Sequence, residues 1–384
     1  MAALAGDGSL AVARSASLYL HLPFCASRCA YCTFVTSTER ELLPRYMAAL
    51  RQELMLLARL AKRPLRTLYL GGGTPSLLPG DELSELFSVL NVSFPRLPGA
   101  EVTLEANPDD VTEERIQLWQ SLGVNRVSVG VQSFDDGVLA LLSRRHSAQK
   151  AKVALQSLLA AGFVVSADIM LGLPGLNRRR LEQTLEVLVQ LSPHHVSVYL
   201  LEMDKPHRLA LLAQRHAGLF PSEEEAAWQY LATARFLQRA GYRHYEVSNW
   251  ARPGFEARHN LRYWQGGVVL GCGVGAYGQG RNSRWANTSE LGEYMASLAS
   301  SRFPRTWRSY LTPEAAQAER VMLALRLSRG VRWCEAEALA ETRPRFWQVF
   351  EDFLAVGLAR RRGERVRLTP RGWLVSNELF ATLV

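Results

Sequence analysis

The stretch SLYLHLPFCASRCAYC, Ser17 to Cys32, joins a short β-rich run to three cysteines spaced CxxxCxxC. Ser17–His21 reads as a strand, so the cysteines lie on the loop at its carboxyl end. Thiolates are soft ligands that select iron–sulfur clusters, zinc or copper. A 4Fe–4S cube takes one thiolate per iron, so Cys25, Cys29 and Cys32 grip three corners and leave the fourth iron open for a small ligand. Zinc wants four protein ligands in a closed structural site. No fourth cysteine is near, position 34 being Phe34. His21 is the one close substitute, and spacing alone leaves it open. Three inert, buried cysteines are the blandest alternative.

Outward from this loop, short β-rich runs alternate with helical patterns. Thr38–Ala61 has the spacing of a long amphipathic helix, and Thr67–Leu70 is a strand running into Gly71-Gly72-Gly73. Asp81–Leu90 (helix), Glu101–Glu105 (strand, cleanly alternating), Thr112–Leu122 (helix) and Asn125–Val131 (strand) follow. Helix pattern then continues to Ala161, before strand Phe163–Leu171, helix Leu181–Leu191, strand Val196–Leu201, helix Glu223–Ala240 and a further strand over Tyr242–Val247. Six strand–helix units in succession imply a parallel sheet, because parallel strands need crossover connections. Right-handed crossovers curl such a sheet one way, and a barrel or partial barrel is the natural closure, with ligands at the strands' carboxyl ends. A doubly wound open sheet is the alternative. Arg258–Gly280, rich in glycine and aromatics, reads as a ligand-contacting loop. Thr312–Val384 reads as a smaller, mainly helical domain with a short strand at Val366–Leu368.

The composition is that of a globular protein: 48% of the 384 residues are hydrophobic and 21% charged. The net charge of +9 comes mainly from arginine. It is scattered, with short clusters only at Arg178–Arg180 and Arg360–Arg362, which read as solvated surface and not as a nucleic-acid interface. The cysteine count is odd, and Cys272 and Cys334 stand apart from the trio as structural residues. That pattern suits a reducing compartment and a metal site better than a disulfide framework. No run approaches the ~20 apolar residues of a membrane span, and residues 1–16 lack the shape of a signal peptide and read as a disordered start.

Further motifs stand at strand ends in the same phase: Gly71-Gly-Gly-Thr-Pro75, Leu104-Glu105-Ala106-Asn107-Pro108, Gly130-Val131-Gln132-Ser133 and Asp168-Ile-Met-Leu-Gly172-Leu-Pro174. A lone glycine run is a weak signal whose plain meaning is a tight turn. Carboxylates inside apolar strands are a stronger one, because burial without a role is costly. With the cysteine loop, these motifs in this order resemble the radical S-adenosylmethionine enzymes. They are most similar to the subgroup holding oxygen-independent coproporphyrinogen oxidase and the haem chaperone HemW family. The resemblance implies an α/β fold, a radical-SAM partial (β/α)6 barrel over 17–250, with a connecting segment at 251–300 and a smaller, mainly helical C-terminal domain over 301–384. It implies that Cys25, Cys29 and Cys32 ligate a 4Fe–4S cluster and that Tyr19 and Tyr31 lie beside bound S-adenosylmethionine. Gly72, Gly73 and Thr74 meet the cofactor's amino-acid end, and Glu105, Gln132, Arg144 and Asp168 hydrogen-bond it. The residue types agree: carboxylates accept from hydroxyls or an ammonium, and arginine clamps a carboxylate.

Two features separate the subgroup's members. The oxidases carry a cysteine where Phe34 stands. The chaperones carry HNxxYW, present here as His259-Asn260-Leu-Arg-Tyr263-Trp264. On that resemblance His259 offers an imidazole to haem iron, Tyr263 and Trp264 offer flat faces, and Arg258 and Arg262 offer charge to propionates; a packing role is the alternative. The run Gly271–Gly278 departs from the family at Tyr277, where a histidine is usual. The expectation is a cytoplasmic haem chaperone whose cofactors are the cluster, S-adenosylmethionine and haem. Its expected partners are haem, a haem-accepting apo-protein, a membrane met peripherally and a second copy of the chain, with no nucleic acid. The alternative is a coproporphyrinogen III oxidase, which leaves open whether the chain is an enzyme.

Overall fold

The structure, a computed structural model, describes residues 15–60 and 63–383. The expected disordered start therefore lies almost wholly outside the described residues. Strand β1 (Ala16–Leu22) leads through the cysteine loop to α1 (Leu43–Leu60). Then come β2 (Leu65–Gly72), α2 (Gly80–Ser93), β3 (Arg96–Ala106), α3 (Glu113–Ser121) and β4 (Arg126–Gln132). Two short helices, α4 (Asp136–Leu141) and α5 (Ala148–Ala160), precede β5 (Val164–Leu171), α6 (Arg178–Leu191) and β6 (His195–Leu200). Strands β1 to β6 pair in parallel in sequence order, as the repeated strand–helix unit requires. Local chemistry sets the helix starts: Thr112, Asp135, Ser147 and Asn177 each accept a hydrogen bond from a backbone amide three residues on.

The strands alternate in a way that defines two faces. Leu18, Leu20, Leu68, Leu70, Val127, Val129, Val165, Ala167 and Val196 are buried in the main core, while Tyr19, Tyr69, Glu105, Ser128, Ser166 and Asp168 alternate with them. The first set meets the helices. The second lines the concave interior, which is therefore polar.

After α7 (Arg208–Arg215), α8 (Glu223–Arg239), β7 (Arg243–Glu246) and β8 (Asn249–Ala251), the structure departs from expectation. Arg258–Gly280 is not a loop. It forms α9 (Arg258–Trp264), β9 (Val269–Cys272) and β10 (Tyr277–Gln279), followed by β11 (Ser283–Asn287), α10 (Leu291–Ala299) and β12 (Arg305–Tyr310). Strand β9 pairs in parallel with β1 and extends the sheet to twelve strands, β12-β11-β10-β9-β1-β2-β3-β4-β5-β6-β8-β7. The glycines that suggested a loop are there for close packing. A Cβ on Gly271 would lie 2.1 Å from the Tyr277 carbonyl oxygen, and one on Gly278 would overlap the Trp285 ring at 1.9 Å.

This extension is tied to α1 by Glu53, buried and fully partnered. Its carboxylate accepts from the Gly273 amide (2.8 Å), Asn287 (2.7 Å), the Tyr294 hydroxyl (2.7 Å) and the Cys272 thiol (3.2 Å). Cys272 is thus structural, as expected. The C-terminal region packs α11 (Pro313–Leu325) and α12 (Pro344–Ala355) on a second core around Phe346, Phe350 and Phe353. It holds three short strands, Val331–Arg332, Ala359–Arg362 and Arg365–Leu368, where the sequence suggested one. The other two are only two to four residues long and too arginine-rich to read as strands.

Candidate functional site

The cysteine loop is closed at its base. Phe24 and Ser37 form a parallel bridge, the Ser37 amide donates to Pro23 O (2.8 Å) and the Cys25 amide to Ser37 O (2.9 Å). Its middle is held by Ala30, whose amide donates to Leu142 O (3.1 Å) and whose carbonyl accepts from the Leu209 amide (3.0 Å). Cys25, Cys29 and Cys32 are free and half-buried. Thr74 Oγ1 lies 3.4 Å from Cys25 Sγ and Arg144 Nη1 lies 3.4 Å from Cys29 Sγ, so each of these sulfurs has a donor suited to thiolate. Burial pushes the Cys25 thiol up to about 11 and raises Cys32 as well. Cys25 and Cys32 therefore hold their protons in the metal-free chain, and a metal would release them on binding. Among the described residues no three His, Cys, Asp or Glu side chains converge on a single metal ion; a cube asks instead for one thiolate at each of three corners. His21 does not serve as a fourth ligand. Its Nε2 is bonded to Val35 O (2.8 Å), its Nδ1 to the Tyr19 hydroxyl (3.2 Å), and the ring is buried.

The glycine run is pinned to the same loop, with the Gly73 amide on Leu22 O (2.8 Å) and the Thr74 amide on Phe24 O (3.0 Å). Gly72 adopts φ +110°, and a Cβ there would stand 2.7 Å from the His21 ring. Only glycine lets the backbone pass this close. Glu105 braces the run from β3: one carboxylate oxygen accepts from the Gly72 amide (3.1 Å) and the other from the Tyr69 hydroxyl (2.7 Å). Burial pushes this carboxyl up to about 7. Asp168, on β5, accepts from Ser128 (3.0 Å) and Ser166 (3.4 Å), and burial raises it to about 6. Both carboxyls thus stand ready for a cationic or hydroxyl-bearing ligand that would restore their ionised form.

Arg144 reaches the site because the helix expected through to Ala161 is broken between α4 and α5. Ser143 takes a left-handed φ of +57°, and Arg144 turns back toward the strands. Its guanidinium donates to Asn107 Oδ1 (2.5 Å) and Gly130 O (2.7 Å), and its Nε is buried without a partner. Gln132 is held at φ +66°, rare for a residue with a side chain. A Cβ on Gly130 would come within 3.1 Å of Gln132 Nε2 and 3.3 Å of Arg144 Nη2, so the two side chains converge over that glycine. Tyr31 lies half-buried on the cysteine loop, against Cys29 and Arg144, and burial raises its hydroxyl.

These elements fit a cluster with S-adenosylmethionine: three thiols on one loop, a glycine cradle, two proton-hungry carboxylates and an unsatisfied guanidinium nitrogen. When both are bound, the open corner supplies a chelation point and one-electron chemistry. Comparison with known proteins agrees. Residues 19–188 match the Radical SAM superfamily and residues 311–375 the HemN C-terminal domain. The chain is 38% identical over 373 residues to the "Heme chaperone HemW" of Mycobacterium tuberculosis, covering 96% of this chain and 94% of that protein. It is 32% identical to the Bacillus subtilis protein of that name, over 96% of this chain and 99% of the other. The chain belongs to the haem chaperone HemW family. The Escherichia coli coproporphyrinogen III oxidase (HemN) structure shares the fold, with a TM-score of 0.84 over 97% of this chain and 92% of that one at 24% identity.

The HemW-family HNxxYW segment lies elsewhere. It forms α9, beneath the interior residues of β1 to β3. Glu101 caps this helix, accepting from the amides of Arg258 (3.0 Å) and His259 (2.8 Å). His259 is 2% exposed, with Nδ1 on Thr67 Oγ1 (2.8 Å) and its ring 5.0 Å from that of Tyr69. Its Nε2 is buried without a partner, and burial lowers the imidazole to about 3. The ring is neutral and enclosed. The cysteine loop, the glycine run, Glu105, Gln132 and Arg144 gather at or beyond the carboxyl ends of the strands; His259 lies below them, its ring 6.4 Å from that of Tyr19. Sequence reading missed Tyr69, Asn107, Ser128 and Ser166, the partners of Glu105, Arg144 and Asp168. The signal was present as polar residues at alternate positions of otherwise apolar strands.

Proposed function

We propose that the chain is a haem chaperone of the cytoplasm, which binds haem and passes it to an apo-protein, with a 4Fe–4S cluster and S-adenosylmethionine as resident cofactors. The observation that carries this is the near full-length match, 38% identical over 96% of the chain, to a relative named as a haem chaperone. Phe34 supports it: the position where the oxidases carry a cysteine holds a phenylalanine that is 65% exposed. A peripheral membrane encounter and pairing of two copies belong to the same reading. Among the described residues no helix is long and apolar enough to cross a membrane. The test is anaerobic: add haemin to the cluster-loaded protein, follow the Soret band, then offer an apo-haem protein and follow transfer. Binding followed by transfer supports the reading. Conversion of coproporphyrinogen to protoporphyrinogen with no haem binding would replace it with the oxidase.

A further inference from the structure

Resting on the haem reading, the register of the extended sheet locates where haem sits. Tyr69 pairs with Tyr19, Tyr19 with Gly271, Tyr277 with Ala286, and Ala286 with Trp307. Gly271 lies directly against Tyr277, since its Cβ would touch the Tyr277 carbonyl. These six residues form one cross-strand row, and residues in such a row project from the same face. That face is the concave one. Gln279, two residues from Tyr277, turns to the Tyr263 (3.4 Å) and Gly267 (2.9 Å) carbonyls beside α9, whereas Trp285, one residue from Ala286, joins the helix-covered core.

The row alternates in size: aromatic at Tyr19, small at Gly271, aromatic at Tyr277, small at Ala286, aromatic at Trp307. At its outer end the rings are largely or half exposed. Tyr277 is 68% exposed and Trp307 49% exposed, while Ala286 between them is only 8% exposed. Two exposed aromatics on neighbouring positions of one concave row form an apolar surface of the kind that marks a ligand site. Adjacent strands lie about 4.8 Å apart, so Tyr277 and Trp307 stand on backbones roughly 9.6 Å apart. A flat ring sandwiched between two aromatic faces needs about 7 Å, two contacts of ~3.5 Å. A modest lean of the two side chains closes the difference.

We infer that the slot over Ala286, walled by Tyr277 and Trp307, is the haem-docking site: a planar tetrapyrrole enters edge-on and stacks between the two rings. The row places it on the same face as Tyr19, at the far end from Tyr69 and from the enclosed His259 ring that packs against both tyrosines. Iron ligation by the chain is not required, since stacking and burial of the macrocycle supply the affinity. Release to an acceptor then breaks no metal–protein bond.

The test is haemin titration of the cluster-loaded protein, read by the Soret band and by quenching of tryptophan fluorescence. Trp307→Ala, Tyr277→Ala and the slot-filling Ala286→Phe are each expected to weaken binding about tenfold or more, and Trp307→Phe to retain most of it. Iron content after reconstitution is expected to match the wild type in all four. Trp307 and Tyr277 are exposed, so their variants carry the test even if Ala286→Phe misfolds. His259→Ala, where it folds, is expected to bind haemin as the wild type does. Wild-type affinity in the Trp307 and Tyr277 variants, or loss confined to His259→Ala, overturns the slot and leaves the haem reading standing. Failure of the wild type to bind haemin overturns both.

Discussion

Glu105 offers a quantitative handle on the site. Its carboxyl is buried against the Gly72 amide and the Tyr69 hydroxyl, and burial moves it from an ordinary 4.5 to about 7. A raised carboxyl holds its proton more tightly folded than unfolded. The stability it confers is therefore complete below about pH 4.5 and is lost as pH climbs through about 7. The full loss is about 3 kcal/mol at pH 8, each pH unit of displacement being worth about 1.4 kcal/mol. Glu105→Gln keeps an acceptor for the Gly72 amide, offers its own N–H to the Tyr69 oxygen and removes the charge. In cluster-free protein, urea unfolding of wild type and variant is expected to give similar stability at pH 5. At pH 8 the variant should be more stable by about 2–3 kcal/mol, less if weaker neutral hydrogen bonds offset part of the gain. Asp168 titrates in both proteins, so the difference between them reports Glu105 together with its repulsion by the Asp168 carboxylate. On the proposal that Glu105 accepts from bound S-adenosylmethionine, the same variant is expected to bind the cofactor more weakly, the negative charge being gone. A stability gap between the two proteins that is the same at pH 5 and pH 8 would refute this reasoning.

Two further substitutions probe the frame around the site. Gly72→Ala forces a side chain into φ +110° and against the His21 ring, and is expected to cost about 2–4 kcal/mol by urea denaturation and to lower cofactor binding. Glu53→Ala strands the Gly273 amide and the Tyr294 hydroxyl in the core and leaves Asn287 only its bond to Gly273 O. A loss of about 3 kcal/mol or more is expected, with Glu53→Gln costing less; near-wild-type unfolding of the alanine variant would show that β9–β11 is not anchored there.

The part of the fold legible in the sequence was the part with strong periodicity. Strand–helix alternation from Ser17 to Leu201 announced the parallel sheet, and the motifs at strand ends announced where its site lies. The extension β9 to β12 was hidden because its glycines serve close contacts: at Gly271 and Gly278 neighbouring atoms fill the space a side chain would occupy. Strands of three or four residues interrupted by such glycines carry no readable alternation. The break that delivers Arg144 was announced only by Ser147, a helix cap inside what looked like one helix. The partners of the predicted residues come from other strands, as Asn107 does for Arg144, and a single chain read in order does not show which side chains face each other. The HNxxYW segment was legible as a motif but not as a buried helix, because its fate depends on Glu101, more than 150 residues earlier, capping it.

The most direct test of the central claim is reconstitution of the purified chain with iron and sulfide under strict exclusion of oxygen, counted for metal and followed by electron paramagnetic resonance before and after S-adenosylmethionine is added. About four irons per chain, and a reduced-cluster signal that changes on addition, are the predicted result. Zinc in their place, or metal content unchanged when Cys25, Cys29 and Cys32 are all replaced by serine, would contradict it.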